Sequence, residues 1–209
     1  NHRFLFRNRN HIPFTGVAMN SISNGNSSDI DFNNMSKEER LGEEAAQRYV
    51  KNCRMLDLNI DPGVVISLRT RWKIMQPTKK LGEGGLLPLM GILDNSDHIK
   101  KLNLNRTCMS DRYKSAGNGN SNARVLNLML RKNTAITDLD LSNTGIDDDG
   151  LEEICESLKH NKSITNLDLA RNHFTSLGAD HLRKALAENK GIKKLDITFN
   201  SLGYHTINQ

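Results

Sequence analysis

ITDLDL at residues 136–141 returns as ITNLDL at residues 164–169 and as IKKLDI at residues 192–197. Each return comes 28 residues after the one before. IKKLNL at residues 99–104 has the same pattern and precedes the set by one longer unit. A fixed period of this size predicts a solenoid, in which every unit packs against the next.

Within a unit, the apolar residues change their spacing. Leu167 and Leu169 alternate with polar residues, which is the period of a strand. Apolar residues then fall at i, i+3, i+4 and i+7, the spacing of one helix face. In the unit that starts at residue 136 these residues are Leu151, Ile154, Cys155 and Leu158. Each unit is therefore predicted to be a strand, a turn and a helix.

An asparagine closes the turn in two of the units. Asn172 and Asn200 occupy this position, and Thr144 occupies it in the unit before them. An asparagine side chain can bond backbone groups that would otherwise be buried without a partner. We expect Thr144 to do so less completely.

The unit from Ile164 to Phe174 resembles the leucine-rich-repeat consensus L-x-x-L-x-L-x-x-N-x-L over its whole length. The preceding unit departs from it at Thr144, and the following unit has Ile197 for the middle leucine. The likeness covers residues 81–202 and is greatest to the ribonuclease-inhibitor-like class. It implies an α/β solenoid of strand-turn-helix units, with a parallel concave sheet and outer helices. Such a fold does not by itself define a function.

The composition is that of an ordinary soluble chain with a modest core. Of 209 residues, 36% are hydrophobic and 25% charged, and the formal net charge is +5. Basic and acidic residues are interspersed, so the charge gives no ground for predicting nucleic-acid binding. No apolar run approaches the length of a membrane span, and we predict no membrane partner. The three cysteines show no close pair, which favours a reducing compartment.

The patterns predict three regions. Residues 1–35 are polar and are predicted to be a disordered tail. Residues 36–80 lie outside the 28-residue register and are predicted to form an atypical helical N-terminal cap, with a small separate domain as the alternative. Residues 81–209 are predicted to be the repeats, with the last unit truncated at the C-terminus.

The predicted cap opens with a helix signal. Ser36 and Glu39 form a capping-box pattern, and apolar residues recur at helical spacing to about residue 54. Leu56–Leu58 then copies the strand pattern. Trp72 is predicted to be a buried anchor.

Two further features concern the helices of the repeats. The unit that starts at Ile99 is 37 residues long, and its extra residues lie in or near Lys114–Asn122, a Gly/Asn/Ser-rich stretch predicted to be a surface loop. Because glycine and asparagine best tolerate positive φ, we predict a left-handed backbone where each helix starts. The residues at that position are Gly85, Asn122, Gly150 and Gly178.

The resemblance implies that the residue between the two leucines of each strand points out from the concave sheet. That column reads Asn103, Asp140, Asp168 and Asp196. Neighbouring strands lie about 4.8 Å apart, so three stacked carboxylates would repel one another unless something compensates them. A basic partner surface would do so, and Lys101, Asp138 and Lys194 lie beside the row as further candidate contacts.

Arg171 and Phe199, at the rim beyond the strands, are also candidate partner contacts. Arginine and aromatic residues are enriched at interface hot spots. Phe199 has the alternative of packing under the turn. The alternative for the whole row is that water, salt and the hydroxyls of Thr137, Thr165 and Thr198 screen the acids.

The sequence contains no catalytic constellation. No Ser or Cys lies in a nucleophile motif, and the histidines lack the spacing of zinc ligands. We therefore predict a non-catalytic scaffold that binds a protein partner, with no cofactor and no metal. The groups of leucine-rich-repeat proteins that it resembles imply a cytoplasmic location, with the centrosome, cilium or cytoskeleton as candidates.

Two alternatives stay open. One is a Ran-type GTPase-activating protein, although the loops at residues 171–174 and 199–202 lack the acid and the proline of that family. The other is the regulatory repeat segment of a cytosolic immune receptor. The sequence leaves the oligomeric state open.

Overall fold

The computed structural model describes residues 32–94, 96–109 and 122–203. The chain divides into residues 1–35 and residues 36–209. In the first part, a 3-10 turn at Phe32–Asn34 is described. Residues 1–31 of the predicted tail and residues 114–121 of the predicted loop lie outside the described ranges, whereas Asn122, the last residue of the predicted loop, begins a helix. The boundary at residue 80 stays a prediction.

Two helices precede the sheet. They are α1 at Lys37–Met55 and α2 at Pro62–Arg69. The capping box predicted before α1 is present: Ser36 Oγ accepts from the N–H of Glu39, whose carboxylate accepts from the N–H of Ser36. The sequence therefore predicts the start of α1 to the residue.

Asp61 joins α2 to the chain that follows the first strand. Its carboxylate accepts from the N–H of Val64 and so caps α2. The same carboxylate accepts from the N–H groups of Thr78 and Lys79. One buried side chain thus fixes both segments.

Five parallel strands form one sheet in chain order. They are β1 Ile74–Met75, β2 Lys101–Asn103, β3 Asp138–Asp140, β4 Asn166–Asp168 and β5 Lys194–Asp196. Leu139 pairs with Leu167, and Leu167 pairs with Leu195. Residues that are 28 positions apart in the sequence are therefore paired neighbours on adjacent strands. The predicted α/β repeat fold is confirmed.

A helix follows each of the strands β2, β3 and β4. These helices are α3 Asn122–Leu130, α4 Asp148–Leu158 and α5 Ser176–Glu188, and each packs against the next. The predicted helix face is the buried one, since Leu151, Ile154, Cys155 and Leu158 are at most 1% exposed.

The unit before β2 lacks such a helix. Leu86, Leu89 and Leu93 are fully buried, in the places of the α4 core residues. Only a 3-10 turn forms, at Leu87–Leu89. Pro88 has no N–H to continue an α-helix, which explains the difference.

Two predictions for the cap are wrong. Leu56–Leu58 is not a strand, because α1 runs to Met55 and the chain then turns at Asp57, whose φ is 53°. The first strand lies instead at Ile74–Met75. Trp72 is not buried, since 46% of it is exposed.

The asparagine column acts as predicted. Asn172 Nδ2 donates to the carbonyls of Leu141 and Leu169, and Oδ1 accepts from the N–H groups of Thr144 and Ile146. This one side chain therefore joins two consecutive repeats. Thr144 has only its hydroxyl, which bonds Leu141 O and Asn172 Oδ1.

A second asparagine column was missed by the sequence analysis. It consists of Asn133, Asn161 and Asn189, which precede β3, β4 and β5 and are all buried. Their amide nitrogens donate to carbonyls of the preceding unit. Their Oδ1 atoms accept from N–H groups two and three residues later. The same 28-residue spacing was the available signal.

The helix starts do not have the predicted backbone, because none of the four residues at that position has positive φ. At Gly178 the reason for glycine is lack of space for a side chain. A Cβ on Gly178 would lie 2.5 Å from Asp148 Oδ1 and 2.9 Å from Phe174 Cβ. Asn122 has a bonding role instead: its Oδ1 accepts from the N–H of Leu86, and its Nδ2 donates to two backbone carbonyls.

Candidate functional site

The exposed face of the sheet forms a groove with a volume of about 510 Å³. Because side chains alternate along a strand, the first and third residues of each strand share this face. The side chains that line it are Ile74, Gln76, Lys101, Asn103, Asp138, Asp140, Asn166, Asp168, Lys194 and Asp196. We call this surface the groove.

The register of the sheet arranges the groove into two columns. The lysine column contains Lys101, Asp138, Asn166 and Lys194, and the acid row contains Asn103, Asp140, Asp168 and Asp196. The two columns lie roughly 6.6 Å apart, which is two residues along a strand. The predicted stacking of the acids, with lysines beside them, is therefore present.

Each aspartate of the acid row supports the turn after its own strand. In Asp140, Asp168 and Asp196, Oδ1 accepts from the backbone N–H two residues later at 2.9 Å. Asn103 Oδ1 makes the same bond. The Oδ2 atoms of the three aspartates accept no hydrogen bond from the residues that the structure describes. One oxygen of each carboxylate thus shapes the turn, while the other has no protein donor there.

The negative charges of the acid row repel one another. Burial, together with the carboxylates of Asp140 and Asp196, raises the pKa of Asp168, against the N–H of Ala170. At the end of the row, the N–H and hydroxyl of Thr198 lower the pKa of Asp196. The middle carboxylate is therefore the least compensated member of the row.

Asp138 is in a different situation from the acid row. Thr137 Oγ1 donates to it at 2.6 Å, Asn166 Nδ2 donates at 2.7 Å, and Lys101 Nζ lies 3.8 Å away. The hydroxyl of Thr137 foremost, then Asn166 and the charges of Lys101 and Lys194, lower the pKa of Asp138 against the effect of burial. In contrast to the carboxylates of the acid row, Asp138 therefore accepts a hydrogen bond on each of its two oxygens.

The three threonines proposed to screen the acids have different partners. Thr198 Oγ1 bonds Asp196, and Thr137 Oγ1 bonds Asp138 outside the row. Thr165 Oγ1 donates to the carbonyl of Thr137. Ser142 Oγ also donates to Asp140 Oδ1, at 2.6 Å. Within the described residues, hydroxyl groups therefore compensate Asp140 and Asp196 but not Asp168 between them.

The rim beyond the acid row has a left-handed backbone. Arg171 and Phe199 both have φ of 58°, and Arg106 and Asn143 occupy the same position in earlier units with φ of 65° and 55°. The guanidinium carbon of Arg171 lies 5.0 Å from the centre of the Phe199 ring. Phe199 is 75% exposed, so it does not pack under the turn. The structure thus brings the two predicted rim residues together.

Some groove and rim residues were missed by the sequence analysis. Arg106 could have been found from its place in the same column as Arg171. Ile74 and Gln76 lie outside the repeat register, so no sequence signal pointed to them.

Neither a metal-ligand cluster nor a membrane-spanning helix occurs in the described ranges. No group of three or more His, Cys, Asp or Glu residues there could hold a metal ion. No helix in the same ranges is long and apolar enough to cross a membrane.

A family model and two solved structures resemble parts of this chain. A family model described as Leucine Rich repeat matches residues 132–155 and 160–182, which cover two units. A solved structure titled Leiomodin-1 Actin-Binding Site 2 is 29% identical, with 57% of this chain and 66% of that chain covered and a TM-score of 0.46. This chain thus spans slightly less than two thirds of that relative. The tropomodulin C-terminal domain from Caenorhabditis elegans is 17% identical, with coverage of 76% and 83% and a TM-score of 0.46. No curated protein matches the sequence.

The parallel sheet with one strand per unit, closed by buried asparagines, defines a solenoid of strand-turn-helix repeats. Two of its units match the leucine-rich-repeat family model, and the fold is that of a leucine-rich-repeat solenoid, as the sequence predicts.

Proposed function

We propose that this protein is a non-catalytic scaffold that binds a protein partner in the groove, and that the partner presents a basic surface to the acid row. The cytoplasmic location, with a centrosomal, ciliary or cytoskeletal setting, stays a prediction within this proposal.

The in-register row of three aspartates carries the proposal. Asp140, Asp168 and Asp196 lie on adjacent strands, where like charges about 4.8 Å apart repel one another. Their Oδ2 atoms have no donor among the described residues, and the pKa of Asp168 is raised. A cation placed over the row would relieve the repulsion and supply the missing donors.

The first test titrates the labelled full chain with an oligolysine peptide and follows backbone amides by NMR. Binding at the acid row should shift the amides of residues 140–142, 168–170 and 196–198, and the affinity should fall with added salt. In the triple variant Asp140→Asn, Asp168→Asn, Asp196→Asn, the affinity should fall roughly tenfold or more, because several ion pairs are lost together. Asn103 shows that an asparagine at this position keeps the turn bond.

A matched control removes the same charge elsewhere. The variant Glu44→Gln, Glu83→Gln, Glu188→Gln neutralises three exposed carboxylates that do not line the groove. It should keep most of the oligolysine affinity. An equal loss in both variants would mean that oligolysine responds to net charge alone, and the groove proposal would be wrong.

The natural partner can be sought with the same three proteins as baits in cell extract. A partner of the acid row should be captured by the parent chain and the control, and lost from the triple variant. If the captured proteins do not change, the acid row is not the binding surface. Thermal melts of the three proteins exclude unfolding as the cause.

A further inference from the structure

We infer that the partner element is an α-helix with one basic stripe and acidic residues on its flanks, lying along the acid row across the strands. This inference rests on the proposed function and specifies the chemistry of its partner.

The spacing of the acid row favours a helix over an extended segment. Asp140, Asp168 and Asp196 lie on consecutive strands, so the row spans about 9.6 Å, twice the strand spacing. Three basic residues on successive turns of an α-helix span about 10.8 Å. Alternate side chains of an extended segment would span roughly 13 Å over the same three residues. The spacing of a helix therefore matches that of the three carboxylates more closely than the spacing of an extended chain does.

Positive charges on both sides of the acid row define the flanks of the helix. Lys101 and Lys194 lie in the column on one side, and the rim with Arg106 and Arg171 lies on the other. Residues next to the basic stripe of a bound helix would point towards these cations, because successive helical residues are turned by about 100°. Carboxylates at those positions would be attracted, whereas lysines would be repelled. The groove should therefore select mixed charge over uniform positive charge.

Arg171 is the best-placed receptor for such a carboxylate. Its guanidinium lies over the Phe199 ring, and it makes no ion pair with the residues that the structure describes. Stacking on an aromatic face leaves the N–H edge of a guanidinium available for a planar, bidentate acceptor.

The test compares three peptides by NMR titration of the full chain. The stripe peptide is a stabilised helix with lysines on successive turns of one face and glutamates on both flanks. The scrambled peptide is a helix of the same composition with its lysines spread around the axis. Oligolysine is the third. The stripe peptide should bind roughly tenfold tighter than the scrambled one, because only it aligns three ion pairs at once.

Two variants then test the flank. In Arg171→Gln, the stripe peptide should bind several-fold more weakly and oligolysine should bind no more weakly, since a repulsive charge has gone. Arg183→Gln is the matched control on α5, where Arg183 pairs with Asp180, and it should change neither affinity.

The outcomes separate this inference from the proposed function. Equal binding of the stripe and scrambled peptides overturns the helical partner. Equal binding together with oligolysine binding that depends on the three aspartates leaves the proposed function in place. If no peptide binds at the acid row, both the helical partner and the basic partner surface are wrong.

Discussion

Buried asparagines hold neighbouring repeats together at the level of single residues. Asn172 supplies donors to two carbonyls and an acceptor to two N–H groups. The carbonyls of Leu141 and Leu169 also receive bonds from Thr144 and Asn200. The two N–H groups therefore depend more strongly on Asn172 than the carbonyls do.

Asn172→Ala should lower the free energy of unfolding by about 2–4 kcal/mol, because two buried N–H groups lose their acceptor. Urea denaturation measures the change. Asn166→Ala is the control, since within the described residues the Asn166 side chain bonds only the side chain of Asp138, at the groove. It should lower stability by less than about 1 kcal/mol. Equal losses in both variants would show that the buried column is not a special support of the fold.

Within the acid row, protonation of Asp168 makes the stability of the protein depend on pH. The pKa of Asp168 is raised, so the native state holds this proton more tightly than the unfolded state does. Its contribution to stability is therefore favourable at low pH and is lost as pH rises from about 3.8, the ordinary value, through the higher folded-state value.

Asp168→Asn should raise the free energy of unfolding at neutral pH. The gain should be well under about 1 kcal/mol, because solvent screens the charges of the acid row. It should vanish at a pH below the ordinary pKa of aspartate. Urea denaturation as a function of pH measures it. Asp196→Asn should show the opposite sign, since the pKa of Asp196 is lowered and its stabilisation is present above the ordinary value. A gain for Asp168→Asn that persists in acid would mean that charge repulsion is not its cause.

Some strands and helices were predictable from the sequence and others were not, for different physical reasons. Strands β2 to β5 followed from the period, because each of their units repeats the same alternating apolar residues, whereas β1 lies outside the register. The capping-box pattern of Ser36 and Glu39 also predicted the start of α1, and both of its hydrogen bonds are present. The reason for glycine at position 178 was not predictable, because nothing in the local sequence shows that Asp148 of one repeat crowds Gly178 of the next.

The start of α5 tests that explanation. A Cβ at position 178 would lie 2.5 Å from Asp148 Oδ1, and this oxygen is held by the N–H groups of Thr175 and Gly178. Gly178→Ala should lower stability by about 1–3 kcal/mol, although alanine is the better helix former by up to about 1 kcal/mol. Gly82→Ala is the control, because nothing lies within 4 Å of its added Cβ. If Gly178→Ala stabilises the protein, packing is not the reason for glycine here.

For the groove, the sequence predicted which residues share the surface better than it predicted the contacts that their side chains make. It placed the acid row, the two lysines, Arg171 and Phe199 on one surface. It could not show that Asp138 is already bonded by Thr137 and Asn166, because that depends on side-chain geometry between strands. Arg171 and Phe199 were chosen for their residue types, and their contact follows from a left-handed turn that no glycine signals.

In the whole sheet, protection should vary from strand to strand. Repeats contact mainly their neighbours, so local stability depends on having a packed unit on each side. β4 pairs with strands on both sides, and its central Leu167 is 2% exposed. β5 pairs with β4, and its central Leu195 is 37% exposed. β1 pairs with β2, but its Met75 is fully buried in the same core as residues of α1 and α2.

Native-state hydrogen exchange of this chain should therefore show faster exchange for amides of residues 193–197 than for residues 165–169, with β1 slower than β5. The faster exchange should respond weakly to urea, because a local opening exposes little surface compared with global unfolding. Amides of residues 137–141 provide the internal reference for a strand paired on both sides. Equal protection in β4 and β5, with the same urea dependence, would show that the described repeats open as one cooperative unit and that neighbour contacts do not set local stability.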